Sequence, residues 1–377
     1  MGLNNFSTRN LILLGILILN GVDNISGTSE STLKAVSMLF RHGDRSPGMS
    51  YPLDPYHDYP WPGGYGALSP RGYRELYGSG LIKSTRYSSL LSIHCDTDAT
   101  CNMDFNKILV LSSAIQRCVD SAESLLNGFV RANWPSNLIN VIPQNQDEML
   151  AAPGKPCPNY EDIMTTGISL NDPEFKAVID FESTEGQEFL DYLQNNTGLV
   201  VNSPMVLLLL EDVLLVEKDN NLELPAWTDS VFEQYLVPLT SIVFDIWGSS
   251  QYMKIRSSTL FKDMTNKLDN LITGSDNQNI LLYSAHDATV GSMLHFLGIR
   301  DQTVARPTYA ASFNLELHQN QEIEDDYEVK LLYFASYDDQ NPIEINIPDC
   351  QAPCPYKQFK LTIQPRLTPD YETACSQ

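Results

Sequence analysis

The chain has 377 residues, enough to bury a large core as one big domain or two. Hydrophobic residues make up 42%, with 18 Tyr and 14 Phe, a composition for which disorder is not the default. A net charge of −23 argues against nucleic acid or an anionic membrane surface as a partner, and a pI near 4.5 suits an acidic working environment.

At the N-terminus, Arg9 is the only charge before Asp23, and Leu11 to Leu19 is an unbroken apolar run. A basic start, a short apolar stretch and small residues such as Gly21 predict a secretory signal peptide over residues 1–27, cleaved between Gly21 and Gly27. A membrane anchor needs about 20 apolar residues, and this run is too short. In a secretory context Asn24-Ile25-Ser26 and Asn195-Asn196-Thr197 name Asn24 and Asn195 as glycosylation acceptors.

Leu33 to Phe40 reads as a buried strand that stops at Arg41. Arg41, His42 and Arg45 follow on a turn broken by Gly43 and closed by Pro47. Residues 48–68 form a Pro-, Gly- and Tyr-rich loop, after which Ser69-Pro70 reads as the start of a helix running toward Tyr87. Ile108 to Ser112 is a second buried strand, feeding a helix from Ala114 to Phe129 that carries Arg117 in its first turns. From Cys157 to about Tyr252 strand-like alternation gives way to amphipathic runs. Among them, Pro204 to Val216 reads as a buried helix interrupted by Glu211 and Asp212. The sheet resumes at Ile280 to Ser284, followed by the turn Ala285-His286-Asp287 and a helix to Leu297, with Gly298 closing it. Ser312 to Leu317 and Glu328 to Phe334 alternate as a hairpin.

This order predicts an α/β fold with a mainly parallel central sheet flanked by helices and a smaller helical cap domain inserted. Residues 31–150 and 253–377 are the two parts of the α/β core, and residues 151–252 are the cap. Three segments share one design: apolar strand, charged turn, helix. They carry Arg41, His42 and Arg45; Arg117; and His286 with Asp287. In a parallel sheet such turns open at the same edge, where helix N-termini also favour an anion. Guanidiniums match phosphate oxygens in pairs. Taken singly, each segment has a plainer reading. RxxxR alone is a basic surface turn, Arg117 alone a salt-bridged helix arginine, and His286-Asp287 alone a helix start. His57, His94, His295 and His318 have no partner motif and read as structural or surface residues.

Arg41-His42-Gly43-Asp44-Arg45-Ser46-Pro47 resembles the RHGxRxP motif of the histidine acid phosphatases. Pro52, Asp54-Pro55, Trp61-Pro62, Gly64, Gly66, Leu68 and Gly72 resemble the prostatic and lysosomal branch of that family, and the likeness covers roughly residues 33 to 375. The resemblance implies a core domain with an inserted helical cap. It implies that His42 takes the phosphoryl group, that Arg41, Arg45, Arg117 and His286 hold its oxygens, and that Asp287 protonates the leaving oxygen. The chain departs from the family pattern beside Arg117, where it has Ala114, Gln116 and Cys118. The resemblance also implies disulfides between Cys350 and Cys354 and between Cys157 and Cys375. Cys95 and Cys101 are close enough to pair, which leaves Cys118 odd.

The expected activity is that of a secreted acid phosphatase hydrolysing phosphate monoesters, on small molecules or proteins, through a phosphohistidine. No cofactor or metal is expected. Nor does the sequence carry HExxH, paired CxxC, a thiolate phosphatase loop, a GxSxG elbow or a P-loop lysine. The lysosomal relatives carry a C-terminal membrane span and this chain ends at Gln377 without one, so no membrane anchor is expected. A homodimer is left open. The alternatives are a secreted phosphoanion-binding protein without turnover, or a phytase-like or phosphomutase-like relative.

Overall fold

The computed structural model describes residues 32–376 apart from 92, 96–100, 152, 161–167, 305 and 324–325, and only the backbone at 93–95, 101 and 102. In chain order its elements are β1 (Leu33–Arg41), α1 (Pro70–Arg86), β2 (Ile93–Cys95), β3 (Cys101–Met103), β4 (Ile108–Ser113), α2 (Gln116–Val130) and β5 (Ile139–Ile142). Four helices follow: α3 (Thr184–Thr197), α4 (Pro204–Asp219), α5 (Val237–Ser249) and α6 (Gln251–Thr273). The chain then returns through β6 (Ile280–Ala285), α7 (Asp287–Leu297), β7 (Ser312–Gln319), β8 (Tyr327–Phe334), β9 (Ile343–Ile345), β10 (Cys354–Pro355), α8 (Tyr356–Ile363) and α9 (Tyr371–Ser376).

One eight-stranded sheet runs in the order β10-β8-β7-β1-β6-β4-β5, with β9 added on β8. From β1 through β6 and β4 to β5 every pairing is parallel; from β1 through β7 and outward every pairing is antiparallel. The central sheet flanked by helices is as expected, but its parallel part is confined to the half that carries the charged turns. The hairpin read from Ser312 to Phe334 supplies the other half.

The apolar runs have a physical reason. A strand covered on both faces needs apolar residues at successive positions. In β1, Ala35 and Leu39 enter one core with Leu260, Phe261, Met293 and Leu294 of α6 and α7. Val36, Met38 and Phe40 enter the other, with Leu76 of α1 and Leu125, Leu126 and Phe129 of α2. Ser69 caps α1, its hydroxyl accepting from the Gly72 N–H, with Pro70 in the first turn. Gly298 closes α7 at φ 71°. α2 begins two residues later than expected, at Gln116, which places Arg117 in its first turn.

Between β5 and β6 the regular structure is helical. α3, α4 and α5 bury Phe189, Leu193, Leu207, Leu210, Leu214 and Val243 in a third cluster, which Tyr51, Tyr371 and Cys375 join. The described residues from Thr32 onward group as one compact unit. The disulfides Cys157–Cys375 and Cys350–Cys354 are formed, and Cys118 is free and buried. Backbone pairing sets Cys95 opposite Cys101 in the β2–β3 hairpin, but the side chains of that expected pair lie outside the described residues. So do the expected signal peptide and Asn24. Asn195 is exposed near the end of α3. Among the described residues no helix is long and apolar enough to cross a membrane.

Candidate active site

β1, β6 and β4 are parallel neighbours, with Arg41 opposite Ala285 and Ser112 opposite Ser284. The turns that follow them open at one edge. The first turn is held from below: the His42 N–H donates to the Ala285 carbonyl at 3.0 Å, and the Ala310 N–H donates to the His42 carbonyl at 3.1 Å. Gly43 lies against Gly72 of α1, where an added Cβ at 43 would meet the Gly72 carbonyl oxygen at 2.6 Å. Any side chain there would push the loop off the helix. Asp44 completes the clamp: its N–H donates to Glu75 at 2.8 Å, and its carboxylate accepts from the Ser69 hydroxyl.

His42 is 2% exposed, and its Nδ1 lies 2.8 Å from the Gly43 carbonyl. A carbonyl only accepts, so Nδ1 carries the proton and the neutral ring keeps its lone pair on Nε2. Burial, then the charges of Arg117 and Arg41, His286, and Arg45 hold the imidazole pKa well below 6.5. The nucleophilic tautomer therefore persists in acid.

Three of the nearby guanidiniums are paired. Arg41 donates to the Pro307 carbonyl at 2.7 Å, meets Asp287 Oδ2 at 3.0 Å and lies 4.0 Å over the Tyr309 ring. Arg45 makes a two-pronged pair with Asp212 of α4. Arg306 reaches Asp287, Glu211 and Asp212 together. Arg117 differs: among the described residues no carboxylate pairs with it, and its Nη2 lies 3.4 Å from His286 Nδ1. Ala114 and Gln116, noted from the sequence, supply no anion there; Gln116 instead donates to Asp120. Burial and then Arg45 lower the Arg117 pKa.

His286 is neutral: burial and then Arg117 push its pKa down to about 3. An arginine only donates, so Nδ1 accepts, and Nε2 carries the proton toward Ser113 Oγ at 3.2 Å, with Cys118 Sγ 3.5 Å away. Burial would raise the Asp287 carboxyl, but Arg41 and Arg306 outweigh it and hold the group well below its usual range.

The six residues read from the sequence thus lie together: Arg41, His42, Arg45, Arg117, His286 and Asp287. Sequence reading missed Arg306, Glu211, Asp212, Tyr309 and Ser113. Glu211 and Asp212 were read only as interruptions of a buried helix. A buried carboxylate needs a cation, and two adjacent ones in an apolar helix were the available signal. His57 is exposed and bonded to Ser50, His295 pairs with Asp245, and His318 with Glu316.

The model of the histidine phosphatase superfamily, branch 2, matches residues 32–334. The chain belongs to that family. Human lysosomal acid phosphatase is 28% identical over 362 residues, spanning 92% of this chain and 81% of that protein. Human testicular acid phosphatase is 26% identical over 373 residues, spanning 92% and 82%. Among solved structures, Hafnia alvei phytase in complex with tartrate superposes with a TM-score of 0.65 at 18% identity, over 92% of this chain and 99% of that one. The histidine phosphatase fold here therefore places its RHGxRxP residues at the carboxyl edge of the parallel half-sheet.

Proposed function

We propose that this histidine phosphatase is a secreted acid phosphatase that hydrolyses phosphate monoesters through a phosphohistidine on His42. The observation that carries the reading is the His42 ring, held by Gly43 with Nε2 unprotonated among Arg41, Arg45 and Arg117. The phosphate dianion enters by displacing Asp287 from Arg41 and Asp212 from Arg45, and Arg117 turns to it from His286. Three guanidiniums then spread the charge on the phosphoryl oxygens. His42 Nε2 attacks phosphorus, forming the N–P bond as the P–O bond to the alcohol breaks. Asp287 gives its proton to the departing oxygen. Water then attacks the phosphohistidine, Asp287 takes a proton from that water, and inorganic phosphate leaves with His42 neutral again.

Asp287 is ionised in the ligand-free site, so it must gain a proton before it can act as an acid. Loss of Arg41 to the substrate and the arriving negative charge both raise its pKa. That requirement favours acid pH, while the low pKa of His42 keeps the nucleophile available there. His286 has both ring nitrogens engaged; it becomes a phosphate ligand only after Arg117 turns away and the ring proton moves to Nδ1.

Residues 151–252 act as a cap whose helix α4 brings Glu211 and Asp212 to the site. Disulfides suit an oxidising compartment, and a signal peptide over residues 1–27 with a glycan on Asn195 completes the reading of a secreted protein. Release of phosphate from 4-nitrophenyl phosphate at pH 5, with and without a chelator, tests the reading. Turnover is expected in both arms and should be lost in His42→Ala, and acid-labile, base-stable phosphate should be trapped on the wild type by quenching. A folded alanine variant that keeps more than a few per cent of activity would overturn it.

A further inference from the structure

Arg306 is the site cation that the reaction above leaves unused. It lies on the segment between α7 and β7, and its fork engages three carboxylates. Nε meets Asp287 Oδ2 at 3.2 Å, Nη1 meets Glu211 Oε2 at 2.9 Å, and Nη2 meets Asp212 Oδ1 at 3.1 Å. Asp287 is asymmetric in consequence. Its Oδ1 accepts from the Ala288 N–H at 2.9 Å, so both cations, Arg41 and Arg306, converge on Oδ2. Oδ2 is therefore the oxygen whose protonation the two cations oppose.

We propose that Arg306 is a positioning residue, the cation that stays on Asp287 Oδ2 when a phosphate ester draws Arg41 and Arg45 away. The proposal rests on the phosphatase reading. Arg306 is kept back by Glu211 and Asp212, which anchor it to α4 and leave it little freedom to follow the phosphate. Asp212 Oδ1 is shared between Arg45 and Arg306. When Arg45 turns to the phosphate, Asp212 is left to Arg306 and offsets more of its charge, while Arg306 keeps its place on Oδ2. Occupancy of the phosphate site thereby eases protonation of Asp287.

The groups around Asp287 come from several elements. Arg41 at the end of β1 and His42 and Arg45 on the turn after it face it, with Arg117 and Cys118 from α2. Asp212 of α4 and Arg306 complete the set, with His286 beside it in the chain, Glu211 bound to Arg306 and Tyr309 beneath Arg41. Arg306 and Glu211 act on Asp287 with opposite signs. Removing the cation makes the carboxyl easier to protonate; removing the anion lets Arg306 lean on Oδ2 and makes it harder.

The test is the basic limb of kcat against pH on an alkyl phosphate, whose leaving oxygen needs the proton. In Arg306→Met the limb should move up by about 1 pH unit, and in Glu211→Gln it should move down. Arg306→Lys, which keeps the charge, should restore most of the wild-type profile. Glu211→Gln and Arg306→Lys decide the matter if Arg306→Met does not fold. Limbs that stay put, or move in the same direction in Met and Gln variants, would overturn the proposal even if kcat falls. Failure of the wild type to turn over would instead sink the phosphatase reading, and this inference with it.

Discussion

Arg45 and Asp212 form a two-pronged ion pair, at 3.0 and 2.9 Å, between the turn after β1 and helix α4. Both partners are largely buried, at 9% and 7% exposed. A buried pair of this geometry is strong because neither charge has water to fall back on. In the proposed reaction Asp212 occupies the guanidinium that a phosphate oxygen must take, so carboxylate and ligand compete.

Asp212→Asn should therefore tighten product binding. The competitive inhibition constant for inorganic phosphate at pH 5 should fall by roughly 3- to 10-fold, or up to about 1.4 kcal/mol. Weaker phosphate binding in the variant would mean that Asp212 orients Arg45 for the ligand and does not compete with it.

Asp287 and Arg117 should separate by leaving group. With an alkyl phosphate the developing alkoxide needs a proton, and Asp287→Asn should lower kcat by on the order of 10² or more. With a nitrophenyl ester the leaving oxygen is a weak base, and the loss should shrink. Arg117→Ala acts on phosphoryl oxygens that both substrates share, so its penalty should be similar on each. Equal losses for Asp287→Asn on the two esters would remove Asp287 from the role of general acid.

Much of this site was written locally. A strand ending in Arg41-His42, with Gly43 and Arg45 beyond, is dense enough in one stretch to be read alone, and His286-Asp287 opens α7 at the level of the same edge. Arg306 was hidden because a lone arginine before proline carries no pattern, and two of its three carboxylate partners lie 94 and 95 positions away. The β7–β8 hairpin was plain from alternation. That it extends the sheet beyond β1 depends on which strand finds it, and no local period records that.

Leaving-group charge gives a further test. Beside the proposed phosphate site is a cavity of about 500 Å³ lined by Arg41, Arg71 and Arg306 and by Glu75, Glu211 and Asp219. Arg71 is already paired with Glu75 at 2.9 Å, and Arg306 with Glu211. Three arginines matched by three carboxylates leave no surplus positive charge for a second phosphate, and a chain of net charge −23 repels polyanions at a distance. Inositol hexakisphosphate should then be turned over with a kcat/KM about 10-fold or more below that of phenyl phosphate at low salt. Added salt should narrow the gap. Asp219→Lys should also narrow it. Equal turnover of the two substrates in the wild type would show that the cavity does not select on charge.

Glu217 of α4 is fully buried, and neither carboxyl oxygen finds a hydrogen-bond partner among the described residues. Burial first, and then the neighbouring Asp54 carboxyl, push its pKa up from 4.5 to about 8. Asp54 in turn accepts from the Ser50 hydroxyl and from the Tyr56 N–H, which hold it on the loop after the RHGxRxP turn. The unfolded chain loses this proton near its ordinary pKa of 4.5, whereas the folded protein keeps it to about 8. Below the lower value both states are protonated and the pH has no effect through this group. Between the two values the folded state binds more protons, so stability falls as pH rises. The Tm should accordingly drop by roughly 2 to 4 °C between pH 5 and 7.5. Glu217→Gln, neutral at every pH and close in shape, should flatten that part of the curve. A variant with the wild-type slope would mean that Glu217 is already ionised in the folded protein, and that the pH dependence has another source.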